Sequence, residues 1–257
     1  MIFDSHMHTK YSADSEMTLQ EALEAAEKQG CGAVFTEHID YDYPGDKLDF
    51  TFSAEDYWKE YEPYRGDSLR LGVELGMTPG IAQRNKEFVD RAPFDEVIGS
   101  IHIVDGKDIY EPEAYEGRTQ DEMYARYFFL METLLKDNAY VDVLGHVDYI
   151  CRYAPYIEPG LSYARWEEGI DRVLKAALET DTVLELNTRR FGDTLAIKQL
   201  VAIYRRYYEL GGRYITIGSD AHKAEAIGAY FAQALDFAAA CGLHPVTFVE
   251  RKMEICK

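Results

Sequence analysis

Six histidines of this chain stand where an apolar, strand-like run gives way to a loop, each with an acid or a second histidine close by. They read His6-Met7-His8, Glu37-His38, Ser100-Ile101-His102, Gly145-His146 and Ser219-Asp220-Ala221-His222, with Val73-Glu74-Leu75 between the second and third groups. Imidazole is the commonest metal ligand in proteins, and carboxylates accompany it in hydrolytic sites. Histidines scattered through a core would not gather at one end of successive strands. The pattern points to a polynuclear metal site on a barrel rim and to metal-assisted hydrolysis.

Each candidate has a plainer reading beside the ligand reading. His6 and His8 are two apart, so on a strand they share a face. Glu74 lies in the apolar run Leu71-Gly72-Val73-Glu74-Leu75, where a carboxylate needs a metal or a buried ion-pair partner. His102 and His146 each end an apolar run; either alone would read as a core histidine. Asp14 follows the His-x-His loop and precedes Thr18, so a loop or capping role competes with ligation. His244 fits no strand end and is expected on the surface.

Placing these residues together requires alternating strands and helices. Apolar, β-branched runs predict strands near 2–6, 33–38, 70–76, 97–104, 141–147, 182–187 and 214–218. Thr18-Leu19-Gln20-Glu21 is a capping box and Gly30 stops the helix it opens. Ser53-Ala54-Glu55-Asp56 and Thr119-Gln120-Asp121-Glu122 open two more, and Thr78-Pro79 supplies a cap and first-turn proline. Later helices are expected near 163–179, 194–210 and 223–241. Repeated βα units imply a parallel α/β sheet, most simply closed into a barrel. Strand-to-helix connections at 39–52, 104–118 and 148–162 are long, which puts the active face on the histidine rim.

At 257 residues the chain suits one (β/α) barrel, and no linker, repeat or low-complexity segment divides it, so a single domain over 1–257 is expected. The 46 acids outnumber the 27 bases for a formal net charge of −19, which disfavours nucleic acid and anionic membrane as partners. No apolar run approaches the ~18 residues of a membrane span, and no secretory leader is evident. Cys31, Cys151, Cys241 and Cys256 lie far apart without a Cys-x-x-Cys pair, as expected of reduced thiols in the cytoplasm.

The order Asp4-Ser5-His6-Met7-His8-Thr9, Tyr11-Ser12, Asp14, Thr36-Glu37-His38-Ile39-Asp40, Glu74, Ser100-Ile101-His102, Gly145-His146-Val147-Asp148 and Gly218-Ser219-Asp220-Ala221-His222 resembles the polymerase-and-histidinol-phosphatase (PHP) superfamily. Within it the chain is similar to the histidinol-phosphate phosphatase branch. The resemblance implies a distorted seven-stranded (β/α)7 TIM-like barrel and three divalent ions of zinc, manganese or iron. Carried over by position, it implies one metal held by His6, His8, Glu74 and Asp220. A second would share Glu74 and add His102 and His146. A third would use Asp14, His38 and His222. Many superfamily members carry histidine where Asp14 stands, which makes the third site richer in oxygen. Glu37, Asp40 and Asp148 are expected to stand behind the ligands and orient them. Against the acidic surface, three divalent ions less the charges of Asp14, Glu74 and Asp220 would leave the pocket at about +3, a field that attracts a phosphate.

The same resemblance implies a small phosphorylated metabolite, L-histidinol phosphate, hydrolysed within histidine biosynthesis by a hydroxide bridging the first two metals. Arg152, after the His146 strand, and Arg189 or Arg190, after the sixth, would bind phosphate, because a planar guanidinium pairs with its oxygens. Asp220 and His222, near the third metal, would assist the leaving alkoxide. Asp40, Asp42 and Tyr110, from acidic and aromatic loops, would meet the cationic end of the substrate. Two other readings stay open. One is a PHP phosphoesterase for nucleotides or nucleic-acid ends, which a substrate panel would distinguish. The other is a silent metal-binding module, which turnover of any phosphate ester would exclude. Oligomeric state is not legible.

Overall fold

A computed structural model describes residues 1–45 and 48–256; Asp46 and Lys47, inside the 39–52 connection, and Lys257 lie outside the described residues. Thr18 and Thr119 both form the anticipated capping boxes, each side chain accepting from the backbone of the glutamate three residues on, whose carboxylate returns to the cap. They open α1 (Leu19–Gln29), ended by Gly30 at φ 71°, and α4 (Gln120–Asp137). Ser53 caps α2 (Ala54–Tyr61) through the Asp56 amide. Two helices depart from expectation. The helix after Thr78-Pro79 begins only at α3 (Ala82–Val89), because Gly80 at φ 89° turns the chain outside the helical region first. The 223–241 segment is broken by Gly228 (φ 66°) and Tyr230 (φ 61°), leaving a 3₁₀ turn at Ala224–Ala226 and then α7 (Phe231–Cys241). Helices α5 (Tyr163–Glu179) and α6 (Thr194–Glu209) lie where expected.

The strands are β1 (Phe3–Met7), β2 (Gly32–Ile39), β3 (Leu69–Gly76), β4 (Glu96–Ser100), β7 (Val143–Leu144), β8 (Val183–Asn187) and β9 (Tyr214–Gly218), hydrogen-bonded in that order and all parallel. A parallel bridge between Met7 and Ala221 ties β1 to the exit of β9, where His8 N donates to Ala221 O and Asp220 N to His6 O. Helical and strand side chains share a core in which Phe35, Leu71, Val73 and Val97 are buried with Tyr57, Tyr61 and Phe88. No helix among the described residues is long and apolar enough to cross a membrane. All four cysteines are free.

Three sheet features differ from the periodicity reading. The 97–104 run is not one strand; β4 stops at Ser100 and a small hairpin, β5 (Ile103–Val104) and β6 (Lys107–Asp108), follows. The 141–147 run supplies only the two residues of β7, because the chain then turns to present His146, with Tyr149 N donating to His146 O. The C-terminal tail forms β10 (His244–Val249), parallel to β9, and β11 (Lys252–Ile255), antiparallel to β10. His244 is exposed as expected but opens β10. Val246 and Phe248 of β10 join Ile98, Val143 and Val183 in a second apolar cluster at the strand ends away from the histidines.

Candidate metal centre

The pairing of β1 with β2 shifts register between Asp4 and Met7, while the side chains at the end of the strand keep alternating faces. Met7 joins the outer core, while His6 and His8 flank it on the opposite side. The ends of β2 and β3 supply His38 and Glu74, and the chain just beyond β4, β7 and β9 supplies His102, His146, Asp220 and His222. Asp14 comes from the loop after β1.

These side chains converge on Glu74, which is fully buried. Its Oε2 lies 2.9 Å from His38 Nδ1, 3.2 Å from His6 Nε2 and 3.6 Å from His8 Nε2. Its Oε1 lies 2.8 Å from His146 Nε2 and 3.3 Å from His102 Nε2, and accepts from Ser100 Oγ at 2.6 Å. Asp220 Oδ1 is 3.5 Å from His8 Nε2 and 3.9 Å from His6 Nε2. Asp14 Oδ2 lies 3.1 Å from His222 Nε2 and 3.8 Å from His38 Nε2. The ring of His8 is stacked between those of His38 and His222, at centroid distances of 4.0 and 4.3 Å.

His6 Nε2, His8 Nε2, His38 Nδ1 and Glu74 Oε2 are buried, face one another, and still make no hydrogen bond. Polar atoms so placed are costly unless a further group joins them, and imidazole nitrogens with carboxylate oxygens suit a divalent transition metal. Triads within 4.8 Å include His6–His8–Glu74, His38–Glu74–His102 and His8–His38–His222. Burial opposes ionisation of Glu74, but the facing imidazoles of His6, His102 and His38 hold its carboxyl well below the ordinary range. Burial, then His38 and His222, push His8 well below the usual imidazole value, which favours the neutral ring a metal needs.

Behind these groups stand acids with separate duties. Asp40 is buried with its carboxylate 3.0 and 3.2 Å from His102 Nδ1. A Cβ on Gly76 would come within 1.8 Å of Asp40 Oδ1, so only glycine there admits the contact. Of the two roles expected for Asp40, behind a ligand or at the substrate, its carboxylate takes the position behind His102. Glu37 accepts from Thr9 N at 2.9 Å and Ser12 Oγ at 2.6 Å, and Ser12 Oγ lies 3.0 Å from His8 Nδ1. Its support for His8 therefore passes through Ser12. Asp148 holds no histidine ring; it pairs with Arg190 at 3.0 Å. Sequence reading missed Glu185 of β8, whose Oε1 lies 2.7 Å from His6 Nδ1. The signal that singled out Glu74, a glutamate inside an apolar strand, is present in Val183-Leu184-Glu185-Leu186 as well.

A cavity of about 700 Å³ opens over the centre. Buried Arg152 reaches its wall, Nη1 2.5 Å from Asp220 Oδ2, with Nε and Nη2 unpartnered among the described residues. Arg189 also lines the cavity and donates from Nη1 to Asp220 O at 2.8 Å. Arg190 pairs instead with Asp148 and is not among the residues lining the cavity. Tyr149, Tyr153 and Tyr110 form one wall, with successive ring centroids 5.3 and 4.8 Å apart. Tyr43 OH donates to Asp108 Oδ2 at 2.6 Å across the mouth, beside Glu111. Asp42 is not part of this lining; its exposed carboxylate pairs with Arg84 at 3.0 Å. Clustered metal-type donors beside guanidinium groups are suited to binding and cleaving a phosphate ester.

Comparison with known proteins agrees with this chemistry. The model of the PHP domain matches residues 4–189. A probable histidinol-phosphatase of Clostridium acetobutylicum is 44% identical over 254 residues, covering 99% of both chains. The histidinol-phosphatase of Lactococcus lactis is 29% identical, covering 86% of this chain and 84% of its own. A crystal structure of the histidinol phosphate phosphatase from L. lactis, complexed with zinc, L-histidinol and phosphate, superposes with a TM-score of 0.92 at 28% identity and 98% coverage of each chain.

Proposed function

This chain belongs to the PHP domain family, and on that premise we propose that it hydrolyses L-histidinol phosphate to L-histidinol and phosphate. The observation that carries the reading is the convergence of buried, unsatisfied imidazole and carboxylate atoms on Glu74, next to an arginine with two free buried nitrogens. The relatives act on this substrate by name, and the matched structure contains zinc, histidinol and phosphate. Chain length, the unbroken run of βα units and the Met7–Ala221 bridge support reading residues 1–257 as a single domain closed into a distorted seven-stranded barrel.

We assign three divalent ions. His6, His8, Glu74 and Asp220 would hold the first, Glu74, His102 and His146 the second, and Asp14, His38 and His222 the third. When bound, such ions lower the pKa of coordinated water towards ~7 and neutralise phosphate charge. His38 Nδ1 also lies 2.9 Å from Glu74, so it is placed to serve either side of the shared carboxylate. Arg152 offers Nε and Nη2 to phosphate oxygens while Asp220 fixes its third nitrogen, and Arg189 adds a second guanidinium from the loop after the neighbouring strand β8. Asp220 and His222 line the same cavity and would be available to assist a leaving alkoxide. Tyr110 and Tyr153 offer ring faces, and Glu111 and Asp108 negative charge, to a cationic imidazole-bearing end. The acidic surface and a cavity scaled to a small molecule favour this substrate over nucleic-acid ends. The thiol pattern supports a cytoplasmic setting.

The test is metal analysis of protein purified without chelator, followed by a kinetic panel at one pH and one metal. Two to three divalent ions per chain, loss of turnover on chelation and recovery with Mn²⁺ or Zn²⁺ are expected. L-histidinol phosphate should exceed p-nitrophenyl phosphate and sugar phosphates in kcat/KM by at least ~10-fold, about 1.4 kcal/mol of transition-state discrimination. Nucleotides or oligonucleotide ends winning that panel would move the chain to another PHP activity. Full activity in chelator would end the metal reading.

A further inference from the structure

Glu185 sits in the apolar strand β8 with no exposed surface, and its two oxygens face in different directions. Oε1 lies 2.7 Å from His6 Nδ1 and accepts from Asn187 Nδ2 at 3.0 Å. Oε2 accepts from the backbone amide of His146 at 2.6 Å. The strand carrying it is pinned from outside, where the Tyr204 hydroxyl donates to Glu185 O. Close approach is built in on the other flank. A Cβ on Gly218 would lie 2.3 Å from Glu185 Oε1 and 2.5 Å from His6 Cβ, so β9 carries glycine where the carboxylate and the imidazole meet.

His6 and His146 face different oxygens of Glu74, His6 Nε2 lying 3.2 Å from Oε2 and His146 Nε2 2.8 Å from Oε1. Glu185 grips the far side of both residues: the back of the His6 ring, and the backbone that carries the His146 ring. We propose that Glu185 is a positioning residue that sets the two halves of the metal centre against each other, holding His6 as its Nδ1–H tautomer with Nε2 free for a metal and fixing the chain at His146 in the same motion. The inference rests on the metal-centre reading above. A carboxylate behind a ligating histidine orients the ring and strengthens its donor nitrogen, and removing such a partner typically weakens metal binding about 10- to 100-fold. Glu185 differs from Asp40, which hydrogen-bonds the His102 ring with His38 Nδ1 3.6 Å away, because Glu185 grips both a ligand ring and the backbone of a second ligand, so its loss would disturb two metals together.

The test compares the wild type with Glu185→Gln, and with Glu96→Gln as a control for removing a buried carboxylate from another strand. Zn²⁺ dissociation constants are measured by competition with a chromophoric chelator, and the ligand field by the visible spectrum of Co²⁺-loaded protein. Glu185→Gln should weaken the metals held by His6 and His146 about 10- to 100-fold and shift the Co²⁺ bands. Glu185→Asp should recover part of the affinity, and Glu96→Gln should match the wild type. Wild-type affinity and an unmoved spectrum in Glu185→Gln overturn the inference while leaving the metal centre standing. A wild type that binds no divalent ion removes the centre and the inference together. If Glu185→Gln does not fold, the ring ¹⁵N spectrum of the Zn²⁺-loaded wild type decides: a proton on His6 Nδ1 and none on Nε2 supports the assignment, and the reverse defeats it.

Discussion

Arg152 Nη1 lies 2.5 Å from Asp220 Oδ2, so a guanidinium that would bind phosphate is fastened to a carboxylate that would bind metal. Both side chains are almost completely buried, and Arg152 also lies over the Tyr149 ring at 5.0 Å. A planar group held at one corner keeps its other nitrogens aimed. Arg152→Ala should lower kcat/KM for every monoester alike, by about 10²- to 10³-fold, as for loss of one charge-stabilising donor. Arg152→Lys should restore little, because an ammonium cannot hold Asp220 and offer two further aligned donors. Parallel kinetics on L-histidinol phosphate and p-nitrophenyl phosphate check this; a loss confined to one substrate would speak against a role at the shared phosphate.

Glu74→Gln should cost more than Asp14→Ala. Glu74 presents one oxygen to His6, His8 and His38 and the other to His102 and His146, whereas among the described residues Asp14 pairs with His222 and His38 alone, at the half-exposed edge. Loss of a partner behind a ligand typically costs about 10- to 100-fold, so loss of the shared ligand should exceed ~100-fold in kcat. Turnover at saturating metal is the measurement, and near-wild-type kcat in Glu74→Gln would make Glu74 structural.

Asp40 and Asp42 should behave differently although they are neighbours in one loop. Asp40→Asn removes the negative charge behind His102 and should reduce metal affinity and turnover of all substrates about 10- to 100-fold. Asp42→Ala breaks only an exposed pair with Arg84, worth about 0–1 kcal/mol, and should leave selectivity between substrates unchanged. A selective loss of histidinol phosphate turnover in Asp42→Ala would restore it to the substrate site.

Glu96 should make stability fall as pH rises. It is fully buried in β4, and neither carboxylate oxygen has a hydrogen-bond partner among the described residues. Burial, then the nearby Asp142 charge, push its carboxyl well above the ordinary 4.5. Below that value Glu96 is neutral in both folded and unfolded chains. Above it the unfolded chain ionises first, so stability falls by about 1.4 kcal/mol per pH unit until the folded-state value is reached. Glu96→Gln should therefore raise the melting temperature at pH 7 and leave it nearly unchanged at pH 4. A Tm difference independent of pH would show that Glu96 ionises alike in both states.

What the sequence alone determined was set by local patterns. The caps at Thr18, Ser53 and Thr119 and the stop at Gly30 depend on residues within a few positions of one another and stand where they were read, whereas two of the strand runs shorten, 97–104 ending at Ser100 and 141–147 keeping only Val143–Leu144. A buried glutamate in an apolar run is equally local, and Glu74 was found by it. Features requiring distant partners were decided only by tertiary structure. Hairpin β10–β11 turns at Glu250 and Arg251, both at positive φ, a conformation with little local support. Asp95 accepts from the Glu250 and Arg251 amides, and Arg251 reaches Asp142 and Tyr140 O. Arg189 and Arg190 are adjacent and alike; Asp148 claims one and leaves the other to the cavity. Asp40 reaches His102 because residue 76 is glycine, and Glu185 reaches His6 because residue 218 is. Residue type states which bonds a side chain can make. Which one it makes depends on the groups that folding brings within about 3 Å, and here those lie tens to nearly two hundred residues away.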